Sequence, residues 1–355
     1  MSTKADRDAP EDVLSDLEQG RLGIGRRATL ADVAAAAGVS KMTASRALRG
    51  AADVSITKLE KVRQVAKEIG YVGNPLASSL SGQRSDLIGV VIPSMANIVF
   101  AEVLAGIADG IGGSGVQPVF GVTDYDPEKE FEIIQKMLSW NPRGLIVTGL
   151  DQPEDTRRLL ERSDIAVAQI MDVDGEPVDA CIGFSQHAAG AAMAEALIQR
   201  GRRRFGYVGC GIDRDTRARK RLEGFEATLS RAGLKFIRKE TRDGASTTRA
   251  GRTLSSRILA DGSQLDCIYY SNDDLAAGGA YHCMAAGVAV PDQVMLAGFN
   301  GLEFINSLPV RVATTLTPRR EIGEAAARYI LSAAKSPGRK ATEIIELHPQ
   351  LDLGD

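Results

Sequence analysis

Histidine and aromatic side chains are scarce in this chain, and long apolar runs are missing. Its three histidines (His187, His282, His348) have no metal-ligand spacing to one another or to the four cysteines, Cys181, Cys210, Cys267 and Cys283. A zinc-built domain is therefore not expected. The cysteines stand singly among apolar residues and read as small core side chains. Apolar stretches such as Leu87–Ile92 fall far short of the ~20 residues that span a bilayer. The first twenty residues are polar and acidic, without the apolar centre of an export signal, which points to the cytoplasm. Neither G-x-S-x-G nor a P-loop occurs, and no Cys/His pair is set by spacing. Gly110, Gly112 and Gly115 do match G-x-G-x-x-G. They follow a helical stretch and precede a strand, the reverse of the dinucleotide fingerprint, so they read as a helix C-cap and turn. No enzyme and no cofactor is expected.

What is present is ordinary globular composition, 44% hydrophobic and 25% charged, over 355 residues, room for more than one domain. The net charge of −3 hides a strong asymmetry. Residues 1–20 carry two basic and six acidic side chains, and residues 85–355 carry thirty basic and thirty-six acidic. Between them, residues 21–84 carry eleven basic against four acidic, a net of +7. A compact basic module on an acidic body suggests a nucleic-acid partner for the basic part.

Residues 1–27 show no sustained apolar periodicity and read as a mobile tail. From Thr29 onward the pattern is helical. Leu30, Val33, Ala34 and Ala37 share one face, Thr29 is placed as N-cap, and Gly38 ends the helix. Ser40 caps a second helix, Lys41 to Leu48, with Ala44, Ala47 and Leu48 inward. Ser55 caps a third, carrying Leu59, Val62, Val65, Ala66 and Ile69 at helical spacing. Three short helices with a glycine turn between the first two form the helix-turn-helix pattern, expected over residues 28–73. Residues 74–84 read as a polar hinge, too short to be helical alone. Beyond it, short β-rich runs alternate with helical stretches in two cycles of similar length. That implies an α/β core over residues 85–355, two parallel-sheet subdomains with the chain crossing near 185, 313 and 341. Ligands of such sheets bind beyond the carboxyl ends of the strands.

The stretch Thr29–Gly50, TLADVAAAAGVSKMTASRALRG, resembles the headpiece of the lactose-repressor/galactose-repressor family of bacterial regulators. The likeness runs on through VSITKLEKVRQVAKEIGYVGNPLASSL and over the core at RLEGF, SNDDLAAGG, VMLAGFNG and TTLTPRREIGEAA. Within the family, SKMTASRALR, PSMANIVFAEVLAGI, MLSWNPRGLIVT and SNDDLAAGGA look most like the gluconate-utilisation branch. The resemblance implies an all-α headpiece on a periplasmic-binding-protein-like core, acting as a homodimer on double-stranded operator DNA. The second helix would lie in the major groove, with Lys41, Met42, Ser45 and Arg46 on its outward face and Arg46 suited to guanine. Thr29, Ser40, Thr43 and Asn74 complete the DNA side, the last three as phosphate contacts. Leu80 would wedge into the minor groove. Gly73 stands where the family usually has proline, and Pro75 starts the hinge helix.

For the effector, the resemblance places a site between the two subdomains at Ser94, Asn97, Phe100, Asp172, Arg217, Arg221, Asn272, Asp273 and Asn300. Arg217 and Arg221, at i and i+4, suit a carboxylate or phosphate, and Asn300 replaces a frequent aspartate. Both features favour an anionic ligand, a sugar acid or sugar phosphate, with gluconate first. A dimer is favoured over a tetramer, because no heptad tail follows the last strand. A periplasmic-type sugar receptor would share the core but has no use for residues 29–84.

Overall fold

The computed structural model describes residues 26–48, 51, 53–72, 84–260, 264–333 and 342–354. The chain divides into two compact units, one ending at Gln83 and one beginning at Arg84.

The first unit holds α1 (Leu30–Ala37), α2 (Lys41–Leu48) and α3 (Ile56–Glu68). Thr29 and Asp32 cap α1 reciprocally, the Asp32 N–H donating to Thr29 Oγ1 and the Thr29 N–H to Asp32 Oδ2 at 2.8 Å. Gly38 closes α1 in the left-handed conformation, φ +66°, a geometry that costs a glycine little. Ser40 Oγ accepts from the Thr43 N–H at 3.1 Å and so caps α2, whereas Ser55 precedes α3 without a capping bond. Val33, Ala34, Ala37, Ala44, Ala47, Val62 and Ala66 form the buried centre, with Leu30, Val39, Leu48, Val65 and Ile69 packed around them. Small side chains predominate at this centre, which lets the three helices approach closely.

The second unit contains two six-stranded sheets. The first is built from β1 (Leu87–Ile92), β2 (Gln117–Val122), β3 (Gly144–Thr148), β4 (Ala166–Ile170), β5 (Ala180–Gly183) and β11 (Glu343–Glu346). Its order is β11-β5-β4-β3-β1-β2, parallel throughout. Helices α4 (Ile98–Ile111) and α11 (Arg319–Ala333) cover one face, and α5 (Pro127–Ser139) with α6 (Glu154–Glu161) cover the other. The second sheet contains β6 (Phe205–Cys210), β7 (Phe236–Arg242), β8 (Cys267–Tyr270), β9 (Met295–Ala297), β10 (Val312–Leu316) and β12 (Gln350–Asp352). Its order is β12-β10-β9-β8-β6-β7, and only β12 runs antiparallel. Helices α7 (Gln186–Gln199) and α8 (Thr216–Arg231) cover one face, and α9 (Thr248–Ile258) with α10 (Asp273–Ala286) cover the other. Strands β1, β4, β5, β6 and β8 are buried almost end to end, as strands covered on both faces must be.

Three helix pairs pack backbone to backbone through glycines. A Cβ on Gly190 of α7 would lie 2.0 Å from the Arg221 carbonyl oxygen, and one on Gly224 of α8 2.0 Å from that of His187. Gly106 with Gly323 joins α4 to α11 in the same way, and Gly251 with Gly278 joins α9 to α10. Only glycine allows such an approach.

The chain leaves the first sheet after β5, returns to it after β10 and leaves again after β11. Two of the expected crossings therefore shift. Ala313 is held in β10 by its pairing with Ala297 of β9, so the return falls at residues 317–318. Residue 341 precedes β11, which still belongs to the first sheet, so the last crossing falls at 347–349. Among the described residues no helix is long and apolar enough to cross a membrane, and no group of acidic, cysteine or histidine side chains is arranged to hold a metal ion.

Candidate functional site

On the headpiece, Ala44 and Ala47 fix which side of α2 faces inward. Lys41, Met42 and Arg46 are left exposed on the opposite side, Met42 to 72%. Ser45 and Thr43 are half-buried beside them, and Thr43 Oγ1 lies 2.9 Å from Ser40 Oγ. Thr29 is engaged with Asp32 in the cap of α1. The Arg46 guanidinium is ion-paired with Asp53, which the sequence pattern did not reveal. Both partners are about half exposed, so the pair is easily opened. Asn74 and Leu80, together with Gly73 and Pro75, lie outside the described residues.

In the core, the carboxyl ends of both sheets face a cleft of about 700 Å³. Its walls include Thr123, Tyr125, Glu130, Gln152, Asp215 and Arg217. A smaller pocket of about 40 Å³ shares Tyr125, Asp215 and Arg217 with it and adds Asn97, Phe100, Gln186, Arg221, Asn272 and Asn300. Its apolar lining is Val99, Met171, Phe184 and Phe299.

Arg221 is the most constrained group in this pocket. Close packing of α8 on α7 brings its Nη1 to Gln186 Oε1 at 2.6 Å and its Nη2 to the Ser271 carbonyl at 3.1 Å. Gln186 is itself fixed, its Nε2 donating to the Met171 carbonyl at 2.6 Å. The Arg221 guanidinium stacks 4.0 Å from the centre of the Phe299 ring, a favourable cation–π geometry. Its Nε is buried and finds no acceptor among the described residues. One turn earlier, Arg217 lies 5.7 Å from the centre of the Phe100 ring, and its Nε is 3.6 Å from Asp215 Oδ1. Burial would raise the Asp215 carboxyl, but the charges of Arg217 and Arg221 outweigh it and hold it below the usual carboxylate range. Burial, reinforced by the charge of Asp215, pushes the Tyr125 phenol up, so it stays a neutral hydroxyl.

Tyr125, Met171 and Asn300 have positive φ angles of 59°, 71° and 118°, unusual for residues other than glycine. All three line the pocket, where strain of this kind gathers at functional positions. Asn97 caps α4 by accepting from the Val99 N–H at 3.1 Å, and Asn272 caps α10 by accepting from the Leu275 N–H at 3.1 Å. Each uses its side-chain oxygen this way.

The structure thus brings together six of the nine expected residues: Asn97, Phe100, Arg217, Arg221, Asn272 and Asn300. The other three are placed elsewhere. Asp172 is completely buried and its carboxylate is taken by Lys220 Nζ at 2.6 Å and the Asp174 N–H at 2.9 Å. Asp273 accepts from the Leu302 N–H at 2.8 Å and Thr314 Oγ1 at 2.7 Å, pinning the loop that carries Asn300. Ser94 accepts from the Ala96 N–H at 3.1 Å in the turn after β1. Sequence reasoning missed Tyr125, Gln186, Asp215, Glu130 and Gln152. Tyr125 closely follows β2, and Gln186 and Asp215 open the segments after β5 and β6, so the strand-end rule already pointed to their neighbourhoods. Glu130 is half-buried against Gln152, and burial raises its carboxyl to about 7.

The model of bacterial regulatory proteins of the lacI family matches residues 29–74. That of periplasmic binding proteins and the sugar binding domain of the LacI family matches residues 85–346. The transcriptional regulator GntR of Pseudomonas aeruginosa PAO1 is 39% identical over 311 residues, 86% of this chain and 89% of its own. GntR of Escherichia coli K12 is 36% identical over 93% of this chain and 96% of its own. A solved LacI-family regulator from Silicibacter pomeroyi superposes with a TM-score of 0.87 at 43% identity, covering 92% of this chain and 98% of that one. Matched over both headpiece and core, this chain belongs to the LacI family of bacterial regulatory proteins and is a DNA-binding regulator of transcription.

Proposed function

We propose that this regulator is a cytoplasmic repressor that binds a two-fold symmetric operator as a homodimer, and that a small sugar acid, gluconate first, controls its affinity. Lys41, Met42, Ser45 and Arg46 read bases in the major groove; Thr29, Ser40, Thr43 and Asn74 hold phosphates; Leu80 enters the minor groove. The effector lies in the cleft with its carboxylate on Arg221 and Arg217 and its hydroxyls on Asn97, Asn272 and Asn300. The observation that carries this reading is the pair of buried arginines, Arg217 and Arg221, one helical turn apart in the lining of a pocket between the two sheets. Guanidinium groups so placed suit a carboxylate or phosphate. Likeness to the gluconate branch and the GntR relatives favour a sugar acid.

Ligand and DNA communicate through reciprocal coupling: an effector that lowers operator affinity must itself bind the DNA-free form more tightly. The test titrates wild type and Arg221→Ala with gluconate and 6-phosphogluconate, reading operator affinity. The variant should bind operator normally without ligand and lose the response. An unchanged response in the Arg217→Ala, Arg221→Ala double variant removes these residues from the site. A wild type responding only to neutral sugars removes the acidic ligand.

A further inference from the structure

We propose that the end of the second sheet opposite the cleft carries a separate anion site, which takes the phosphate group of a small metabolite. The site is a hollow of about 330 Å³ lined by Arg200, Arg202 and Arg311 together with Pro291, Met295 and Gly354. Arg202 precedes β6, Met295 opens β9, and Arg311 immediately precedes β10. These are the amino-terminal ends of the strands, whereas the effector pocket lies at the carboxyl ends.

No carboxylate side chain is among the described residues lining this hollow. Arg202 Nη2 donates to the Pro291 carbonyl at 3.0 Å, and Arg311 Nη1 to the Gly354 carbonyl at 3.2 Å. Both acceptors are uncharged. Neither arginine forms an ion pair among the described residues, and the Arg202 Nε is buried with no acceptor. The adjoining arginines have other work. Arg203 donates to the Ile198 carbonyl at 2.7 Å at the end of α7, and Arg204 lies 3.7 Å from Asp266. The Asp266 carboxylate also accepts from the backbone N–H groups of Arg203 and Arg204.

Arginines that meet only neutral carbonyls at one hollow favour an anion from outside the chain. Guanidinium groups match the oxygen pairs of a phosphate, and a dianion suits several guanidiniums better than a single carboxylate does. The hollow has room for a phosphate with a small organic group attached. A phosphorylated metabolite bound here would report to the regulator independently of the ligand in the cleft.

The experiment uses the full chain carrying Arg217→Ala and Arg221→Ala, which removes both cleft arginines as a source of anion binding. Inorganic phosphate is titrated calorimetrically against chloride at matched ionic strength. Saturable binding is expected, weakened at least tenfold by Arg311→Gln and by Arg202→Gln, and only partly restored by Arg202→Lys. Arg311→Gln leaves the Arg202 guanidinium in place and so keeps the test meaningful if Arg202→Gln folds poorly. Absence of saturable binding, or binding undiminished in Arg311→Gln, overturns the proposal.

Discussion

Lys220 Nζ lies 2.6 Å from Asp172 Oδ2 and 2.9 Å from Asp151 Oδ2, so a helix of the second subdomain is tied to loops of the first by one ammonium group. Asp172 has no exposed side-chain surface, and burial raises its carboxyl although Lys220 opposes the rise. Replacing Lys220 by Met leaves a buried carboxylate without its counter-charge, a change that costs about 3–5 kcal/mol. A raised carboxyl binds protons more tightly folded than unfolded, so stability falls as pH climbs from the ordinary value of 3.8 through the folded one. Lys220→Met should therefore lose more stability at pH 7.5 than near the ordinary carboxyl value of 3.8. Equal losses in thermal unfolding at the two pH values would argue against this account.

Glu130 supplies a second pH response, within the cleft. Its carboxyl titrates at about 7, raised by burial and only partly countered by Gln152 and Arg217. A ligand anion nearby makes the neutral form more favourable still, so binding takes up a proton and weakens as pH rises through 7. Calorimetric affinity for gluconate between pH 6 and 8 should fall in the wild type and stay nearly flat in Glu130→Gln.

The Arg46–Asp53 pair places a carboxylate on the arginine expected to read DNA. Asp53→Asn should raise operator affinity a few-fold, since Arg46 no longer has a competing anion and one negative charge leaves the DNA-facing side. Arg46→Ala should cost about 1–3 kcal/mol of discrimination at one base pair per half-site. Gel-shift titrations on operators varied at each position distinguish the two effects, and binding should weaken steeply with salt.

Gly190 lies against the Arg221 carbonyl, so a methyl group there pushes α8 away from α7. Gly190→Ala should destabilise the chain by about 1–3 kcal/mol, as overpacked cores do. It should also weaken the ligand response by displacing the Arg221 guanidinium from Gln186. Denaturant unfolding and ligand titration on the same variant check both outcomes.

The headpiece was readable because Val33, Ala34, Ala37, Ala44 and Ala47 recur at helical spacing and their burial follows from that spacing alone. In the core, Arg217 and Arg221 fall together in the pocket lining because i and i+4 share a helix face. That Asp172 and Asp273 lie outside this lining has a physical reason. A carboxylate just beyond a strand looks the same in sequence whether it meets ligand, a backbone N–H or a lysine, and the lysine paired with Asp172 is 48 residues away. Strand β7, FIRKETR, is an edge strand with charges on both faces, so it lacks the apolar run of its neighbours. β10, β11 and β12 close the sheets by long-range pairing that no local pattern encodes.

The glycine contacts of α7 with α8, α4 with α11 and α9 with α10 have a mechanical consequence. Helices joined backbone to backbone have no layer of side chains between them to repack, so neither can slide without breaking hard contacts. Each subdomain then behaves as a stiff plate, and compliance is left to the three short crossings near residues 185, 317 and 348. A ligand gripping both plates has little else to deform, and its binding energy passes into rotation about those three strands of chain.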